Sequence, residues 1–359
     1  MSQIKMHYSL LSLADDQERE AFKAFVKTSA PTSAQIQRFN RPELAGLLNF
    51  FSRAPITELP ADPSITSWFG PLTIAEGAQI TLPGLAEVPG GICIGKGASF
   101  SAPELKSAGS VWAMTGSTLA AESLGQLRGY ISADASSTIH APALGSIGGL
   151  LEARKGARIT ATALSRIDGS ICAGENASID LPALVSMGGD ISLKNGASLR
   201  SPALTQVNSI SACEGSTLHA SSLAKVFDSL WVGDRATVAA RALAHIGSWC
   251  SLEAGATFEA PSLAHIGGGT TVGDGATFDA PNLNHVSGDL RLKRDARFTA
   301  QSLSRVDGAL EIHPSSLIKA PHLHDIPPPV FADERGVGLR PPLAVPTIPA
   351  ATIGAMRSM

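Results

Sequence analysis

Five basic residues recur at intervals of 20 in the second half of this 359-residue chain. They are Lys225, His245, His265, His285 and Arg305. If the fold has the same period, their side chains form a ladder with rungs about 5 Å apart. Such a ladder predicts an anion-binding stripe or a pH-sensitive surface. The preferred interpretation is a solvated corner whose histidines stay largely neutral, because like charges at that spacing repel.

Four aromatic residues form two pairs with the same internal spacing, Trp112 with Tyr130 and Trp231 with Trp249. Each first member lies between two inward-facing apolar positions, so we expect it to face outward. The second members lie in the following repeats and should face the same side. Exposed Trp and Tyr are favoured anchors at interfaces, which makes these four residues candidates for partner binding. The alternative is that neighbouring corners or terminal segments cover them.

Two carboxylates, Glu259 and Asp279, share one repeat position in adjacent repeats. A separation of roughly 5 Å would suit a retaining glycosidase. However, every repeat has 19 or 20 residues, so no loop is long enough to wall a substrate cleft. A solvent-exposed ladder is the better interpretation.

Metal-binding side chains gather near the end of the repeats, at His313, His322, His324 and Asp325. They could chelate a metal, but solvated terminal residues are the preferred interpretation. The sequence has no Walker A loop, dinucleotide fingerprint, nucleophile elbow or HExxH motif. We therefore predict no enzyme activity, no catalytic residue, no metal and no cofactor, with a glycoside hydrolase or lyase as the enzymatic alternative.

The elements that would position these residues come from one internal repeat. Residues 70–327 divide into thirteen units, eleven of 20 residues and two of 19. With Gly70 as position 1, position 16 is always Leu, position 9 is Ala or Ser, and position 11 is apolar. Apolar positions 3 and 5, and again 11 and 13, alternate with polar ones, which is the period of a strand. Glycine at positions 1 and 8 and proline at 14 suit corners between short strands.

This pattern predicts a mainly β fold, a parallel β-solenoid of about thirteen 20-residue coils. We assume a right-handed coil by analogy. Small residues at positions 9 and 13 would fit a narrow interior, in which Phe258, Phe278 and Phe298 stack as a ladder.

The unit resembles the repeats of receptor L domains and related leucine-rich-repeat-like β-solenoids. The match is best at Gly189-Asp190-Ile191-Ser192-Leu193-Lys194-Asn195, followed by Leu199, Pro202, Leu204 and Val207. It covers about 258 residues as a repeat pattern. The resemblance implies a solenoid fold and a role in binding proteins or glycans. The units are shorter than those of the family, and the cysteines that cap its extracellular members are missing, which argues against an extracellular receptor.

The segments before and after the repeats do not follow the repeat pattern. Residues 1–69 are predicted to form a helical cap or docking segment, with amphipathic helices at 14–27 and 42–51. Residues 328–359 are rich in proline and are predicted to be extended along the last coil or disordered. Caps matter because an open solenoid end exposes sheet edges and core.

Composition limits the remaining function classes. The net charge of -3 gives no sign of a nucleic-acid partner, and no apolar run is long enough to span a membrane. The four cysteines have no metal-ligand spacing and fall in separate coils, which favours free thiols and a cytoplasmic location. We therefore predict a non-catalytic protein, a monomer or small oligomer, that presents its solenoid face to a protein partner. A bacterial effector delivered into another cell, a scaffold, and a carbohydrate-binding or carbohydrate-cleaving β-helix remain alternatives.

Overall fold

A computed structural model describes residues 16–44, 48, 54–60, 62–323, 331–332 and 338–339. The described chain is mainly β, and its strands form the predicted parallel β-solenoid. Each of the first twelve repeats is one coil with three short strands, at positions 3–5, 10–12 and 18–19, and the described part of the thirteenth has the first two. We call the three stacks of strands the first, second and third sheets.

The coils belong to two compact units. The first unit comprises Met1–Gly189 and Ala197–Ser201, and the second comprises Asp190–Gly196 and Pro202–Met359. Within each unit all paired solenoid strands are parallel and in register, so residues at one repeat position are neighbours in successive coils.

In the first unit, the first sheet contains Leu72–Ile74, Ile92–Ile94, Val111–Ala113, Ile131–Ala133, Leu151–Ala153 and Ile171–Ala173. The second sheet contains Gln79–Thr81, Ser99–Ser101, Thr118–Ala120, Thr138–His140, Arg158–Thr160, Ser178–Asp180 and Ser198–Arg200. The third sheet contains Glu87–Val88, Ser107–Ala108, Gln126–Leu127, Ser146–Ile147, Arg166–Ile167 and Ser186–Met187.

In the second unit, the first sheet contains Ile191–Leu193, Ile210–Ala212, Leu230–Val232, Cys250–Leu252, Thr270–Val272, Leu290–Leu292 and Leu310–Ile312. The second sheet contains Thr217–His219, Thr237–Ala239, Thr257–Glu259, Thr277–Asp279, Arg297–Thr299 and Leu317–Lys319. The third sheet contains Gln206–Val207, Lys225–Val226, His245–Ile246, His265–Ile266, His285–Val286 and Arg305–Val306.

The core follows the repeat positions that the sequence assigns to the interior. The leucines at position 16 are fully buried from Leu85 through Leu303. The predicted phenylalanine ladder is confirmed, with ring centroids 5.2 Å apart for Phe258 and Phe278 and 4.9 Å apart for Phe278 and Phe298. Burying these columns removes apolar area from water in every coil, which is the main favourable contribution to the fold.

Residues before the first coil extend its sheets. The amide of Ile56 donates to the carbonyl of Thr73 at 2.7 Å, and Ile56 pairs with Ile74 in a parallel bridge. The amide of Trp68 donates to the carbonyl of Glu87 at 2.9 Å, while the Trp68 side chain is fully buried. The segment thus provides hydrogen-bond partners for the strand edges of the first coil.

Two helices pack beside this segment. Helix α1, Asp16–Lys27, buries Phe22, Phe25 and Val26. Helix α2, Ser33–Phe39, buries Ile36 and Phe39. The ring of Phe39 lies 5.8 Å from that of Phe22 and 5.5 Å from that of Phe25.

The sequence prediction of the helices is partly right. The first predicted helix corresponds to α1. Helix α2 was not predicted, although Thr32 and Gln35 form a capping box at its start. Where a helix was predicted at 42–51, the structure has a 3-10 helix at Pro42–Leu44. Most of the other residues in that range lie outside the described residues.

At the other end, the Pro-rich segment lies largely outside the described residues. Phe331–Ala332 and Gly338–Leu339 are described, and they pair as antiparallel strands. All four cysteines are free thiols.

Candidate functional site

Trp231 lies on the outer face of the first sheet in the second unit. It occupies the middle of the strand Leu230–Val232, whose two end residues are fully buried, so the indole points away from the core. The indole Nε1 donates a hydrogen bond to Glu253 Oε1 at 3.1 Å. Because Glu253 belongs to the next coil, this bond holds the ring over the sheet and leaves Trp231 half-buried.

Trp249 flanks the same strand from the next coil. Its carbonyl accepts a hydrogen bond from the amide of Leu230 at 3.0 Å, which fixes it one residue before the strand Cys250–Leu252. The indole of Trp249 is 43% exposed. Trp231 and Trp249 line one open concavity of about 630 Å³.

Four serines line this concavity beside the two indoles. They are Ser192, Ser209, Ser211 and Ser229. Asp190 also lines it, and its Oδ1 accepts hydrogen bonds from Asn208 Nδ2 at 2.8 Å and from the Ser209 amide at 3.1 Å. Indole faces beside hydroxyls suit the binding of amphipathic groups.

The first unit carries a similar arrangement. Trp112, in the middle of Val111–Ala113, is 41% exposed, and its Nε1 lies 3.4 Å from Asp134 Oδ2 in the next coil. Tyr130 is 44% exposed, and Met114 beside Trp112 is 36% exposed. We name Trp112, Tyr130 and Asp134 the first tryptophan cluster.

Trp231, Trp249 and Glu253 form the second tryptophan cluster. In both clusters a Trp at position 4 donates to a carboxylate at position 6 of the next coil, 22 residues later. In both, an exposed aromatic residue stands at position 2 of that next coil. The sequence analysis identified the aromatic residues but missed the carboxylates, which the shared spacing of 22 residues could have indicated.

Charges fix the rim of the first tryptophan cluster. Arg154 Nη1 lies 2.9 Å from Asp134 Oδ1, and its Nε lies 3.2 Å from Glu152 Oε1. Ser132 Oγ donates to Glu152 Oε2 at 2.9 Å. The pKa of Arg154 is raised, chiefly by its hydrogen bond to Glu152. Burial and the nearby Asp134 charge raise the pKa of the Cys93 thiol, so it is a poor nucleophile.

The predicted faces are correct, with one difference. Trp112, Tyr130 and Trp249 are exposed as expected, whereas Trp231 is half-buried. Trp231 forms part of the concavity that Trp249 also lines, and its hydrogen bond to Glu253, 3.1 Å long against 3.4 Å for Trp112 and Asp134, holds the indole along the sheet.

The basic residues predicted to form a ladder are neighbours in the third sheet. Their Cα atoms are register partners in the order Lys225, His245, His265, His285, Arg305. We call these five residues the histidine stripe. The rings of His245 and His265 are stacked, with centroids 5.1 Å apart, and those of His265 and His285 lie 4.9 Å apart.

The candidate carboxylate pair is also adjacent in the structure. Glu259 and Asp279 are register partners in the second sheet. They line an open concavity of about 320 Å³ together with Arg297 and Lys319. The two carboxylates and the two cations thus share one open sheet surface, which suits the solvated-ladder interpretation.

The residues considered for metal binding do not come together in the part of the chain that the structure describes. His313 Nδ1 lies 2.9 Å from Ser315 Oγ, and His322 is exposed. His324 and Asp325 lie outside the described residues. Within residues 16–323 and the other described positions, no group of three or more His, Cys, Asp or Glu side chains is placed to hold a metal ion.

Comparisons with protein-family models, curated proteins and solved structures find no match to this chain. Among the helices of the described segments, none has the length and hydrophobicity needed to cross a bilayer. The fold and the two tryptophan clusters are therefore the basis for inferring function.

Proposed function

We propose that this protein is a non-catalytic binding protein whose two tryptophan clusters contact a protein partner. The observation that carries the proposal is the occurrence of the same cluster twice on the outer face of the first sheet. Trp112 and Trp231 are the only aromatic residues at position 4 in the thirteen repeats. Stability of the solenoid does not require them, since the other coils hold small or charged residues there.

Exposed aromatic residues at these sites would contribute binding energy by desolvation. Trp and Tyr are enriched among residues that dominate interface energetics, because they bury large areas and lose few rotamers. The hydrogen bonds to Glu253 and Asp134 restrict the indoles before a partner arrives, which lowers the entropic cost of binding.

Two further features support this interpretation. The repeat resembles those of receptor L domains, whose members bind proteins or glycans. The four free cysteines favour a reducing compartment. An intracellular scaffold, or an effector delivered into another cell, fits both features.

The test is capture of partners with matched variants. The intact protein is compared with Trp112→Ser/Tyr130→Ser, with Trp231→Ser/Trp249→Ser, and with Val185→Ser, which removes a 47% exposed apolar residue away from the first sheet. A partner lost with either double variant, kept by Val185→Ser, and bound directly after purification would support the proposal. Equal capture by all folded variants would contradict it.

Carbohydrate binding is a second candidate, which the serine-lined concavity at Trp231 and Trp249 favours. Indole faces stack on sugar rings, and hydroxyls hydrogen-bond with theirs. Soluble β-glucans and chito-oligosaccharides would then quench tryptophan fluorescence in the intact protein and in Trp112→Ser, but not in Trp231→Ser/Trp249→Ser. Quenching that persists in the double variant would remove this candidate.

A further inference from the structure

The histidine stripe combines two permanent cations with three titratable ones. Lys225 and Arg305 stand at the ends and are exposed, while the three histidines between them are half-buried. The Lys225 ammonium lies 4.5 Å from the ring centroid of Phe227. Phe227 is 47% exposed and Lys225 is exposed as well, so this end of the stripe is open to solvent.

Among the residues that the structure describes, few acidic side chains lie beside the histidine stripe to neutralise its charge. At one end, Asp307 Oδ2 lies 2.9 Å from His285 Nε2, and its Oδ1 accepts a hydrogen bond from Arg305 Nε. At the other end, Asp228 accepts a hydrogen bond from Ser209 Oγ at 3.2 Å. The flanking residues at positions 17 and 20 are otherwise uncharged: Ala224, Ala244, Ala264, Asn284, Ser304, Phe227, Gly247, Gly267 and Ser287.

Protonation of the central histidine is opposed by its surroundings. The pKa of His265 is lowered, first by burial and then by its neighbours His285 and His245, and Asp307 offsets this only in part. The histidine stripe therefore carries the two permanent charges of Lys225 and Arg305, and each histidine that binds a proton on acidification adds a further charge. Those charges lie about 5 Å apart and repel each other unless an anion lies along them.

We propose that the histidine stripe is an acid-activated binding site for a linear phosphate polyanion, of which inorganic polyphosphate is the simplest case. Imidazolium, ammonium and guanidinium groups donate charge-assisted hydrogen bonds to phosphate oxygens. A phosphate chain presents oxyanions along its whole length. It can therefore contact each side chain of the histidine stripe without having the same repeat distance.

Other polyanions fit this spacing less well. Carboxylates on one face of an extended peptide recur about every 6.8 Å, twice the rise per residue, and fall out of step with rungs about 4.8 Å apart. Single-stranded nucleic acids gain much of their affinity by stacking bases on exposed aromatic faces. In the histidine stripe the rings of His245 and His265 stack on each other. The ring faces between them are therefore covered and cannot stack on a base.

Binding and protonation are coupled at such a site. A phosphate chain stabilises the protonated histidines, so it raises their pKa values, and protonation tightens binding by the same free energy. Lys225 and Arg305 supply the attraction that remains when the histidines are neutral.

The test is calorimetric titration of the full chain with tripolyphosphate and with long-chain polyphosphate at about pH 5.5 and about pH 8. We expect binding to be roughly tenfold or more tighter at the lower pH. His245→Gln/His265→Gln/His285→Gln should abolish that gain. The matched control His219→Gln, an exposed histidine of the second sheet, should keep it. Asp307→Asn should tighten binding, because it removes the carboxylate that occupies His285 and Arg305.

A second measurement uses the unaltered protein, in case the triple variant fails to fold. Nuclear magnetic resonance titration should show that polyphosphate raises the pKa values of the three stripe histidines and leaves that of His219 unchanged. Affinity independent of pH, an unchanged triple variant, or equal pKa changes at all histidines would overturn the proposal. Tighter binding of polyglutamate or of oligothymidylate would overturn the choice of ligand class.

Discussion

At the scale of single residues, the corner at position 8 shows how strongly neighbouring coils determine the backbone. Gly77, Gly97, Gly116 and five further glycines at this position have positive φ angles. Ser136, Asn176, Arg235 and Asp295 adopt the same conformation without being glycine. The amides of Ser136 and Arg235 donate to carbonyls of the next coil at 2.9 Å, so hydrogen bonding between coils outweighs the local conformational preference.

Gly97→Ala tests the contribution of this conformation. The residue has φ +64°, and nothing lies within 4 Å of an added Cβ, so the cost comes from the backbone alone. We expect a loss of about 1–2 kcal/mol in the free energy of unfolding. Gly97→Asn should lose clearly less, because Asn tolerates the left-handed region. Equal losses in urea denaturation would show that conformation is not the cause.

Thr270 is a buried polar residue in an apolar column. Its side chain is 1% exposed between Cys250 and Leu290, and its Oγ1 makes no hydrogen bond with the described residues. Thr270→Val replaces the hydroxyl with a methyl group of similar size, so we expect stabilisation by about 1–2 kcal/mol. Thr271→Val, on the outer face of the same strand, should change little in the same denaturation experiment. Destabilisation by Thr270→Val would indicate that the hydroxyl has a partner.

At the scale of elements, the sequence predicts the strands of the solenoid better than it predicts helix α2 or the position of the Trp231 side chain. The alternation at positions 3–5 and 10–12 recurs thirteen times, so each coil supports the assignment of the others. Helix α2 occurs once and has seven residues, too few for a clear amphipathic period. The half-burial of Trp231 was equally beyond prediction, because it depends on a rotamer that reaches Glu253 in another coil.

Asn40 joins helix α2 to the segment that leads into the first coil. Its Nδ2 donates to the carbonyl of Ser67, and its Oδ1 accepts from the amide of Phe69, both at 2.6 Å. Asn40→Ala leaves both backbone groups without these partners, so we expect a loss of about 1–3 kcal/mol. Hydrogen exchange at the Phe69 amide should accelerate. Gln37→Ala removes only an exposed 3.4 Å hydrogen bond from the same helix to Ser64 Oγ. It is the control, and equal effects of both changes would contradict a specific role for Asn40.

At the scale of the whole molecule, the repeat period determines which residues become neighbours. The sequence therefore sufficed to predict the histidine stripe and the phenylalanine ladder, since both need only the period and the phase. It did not suffice for the concavity at Trp231 and Trp249, whose shape depends on the side chains of several coils together.

Removal of one complete coil should preserve the fold. Deleting residues 268–287 brings Phe258 beside Phe298 and His265 beside Arg305, with all inward positions still in phase. We expect a circular dichroism spectrum with unchanged β character and cooperative thermal unfolding. Deleting residues 268–277 instead shifts the inward positions out of phase, and this shorter deletion should unfold the second unit. Similar behaviour of the two variants would contradict the assigned register.

The uniform coils also have a mechanical consequence. Backbone hydrogen bonds join each strand to the coil before and the coil after it, so tension on the chain breaks them one coil at a time. A coil of 20 residues pulled straight gains about 60 Å, its extended length of about 66 Å less the coil spacing of about 4.8 Å. Each unit should therefore lengthen in equal small steps under load, as an extensible tether does, rather than fail in a single event.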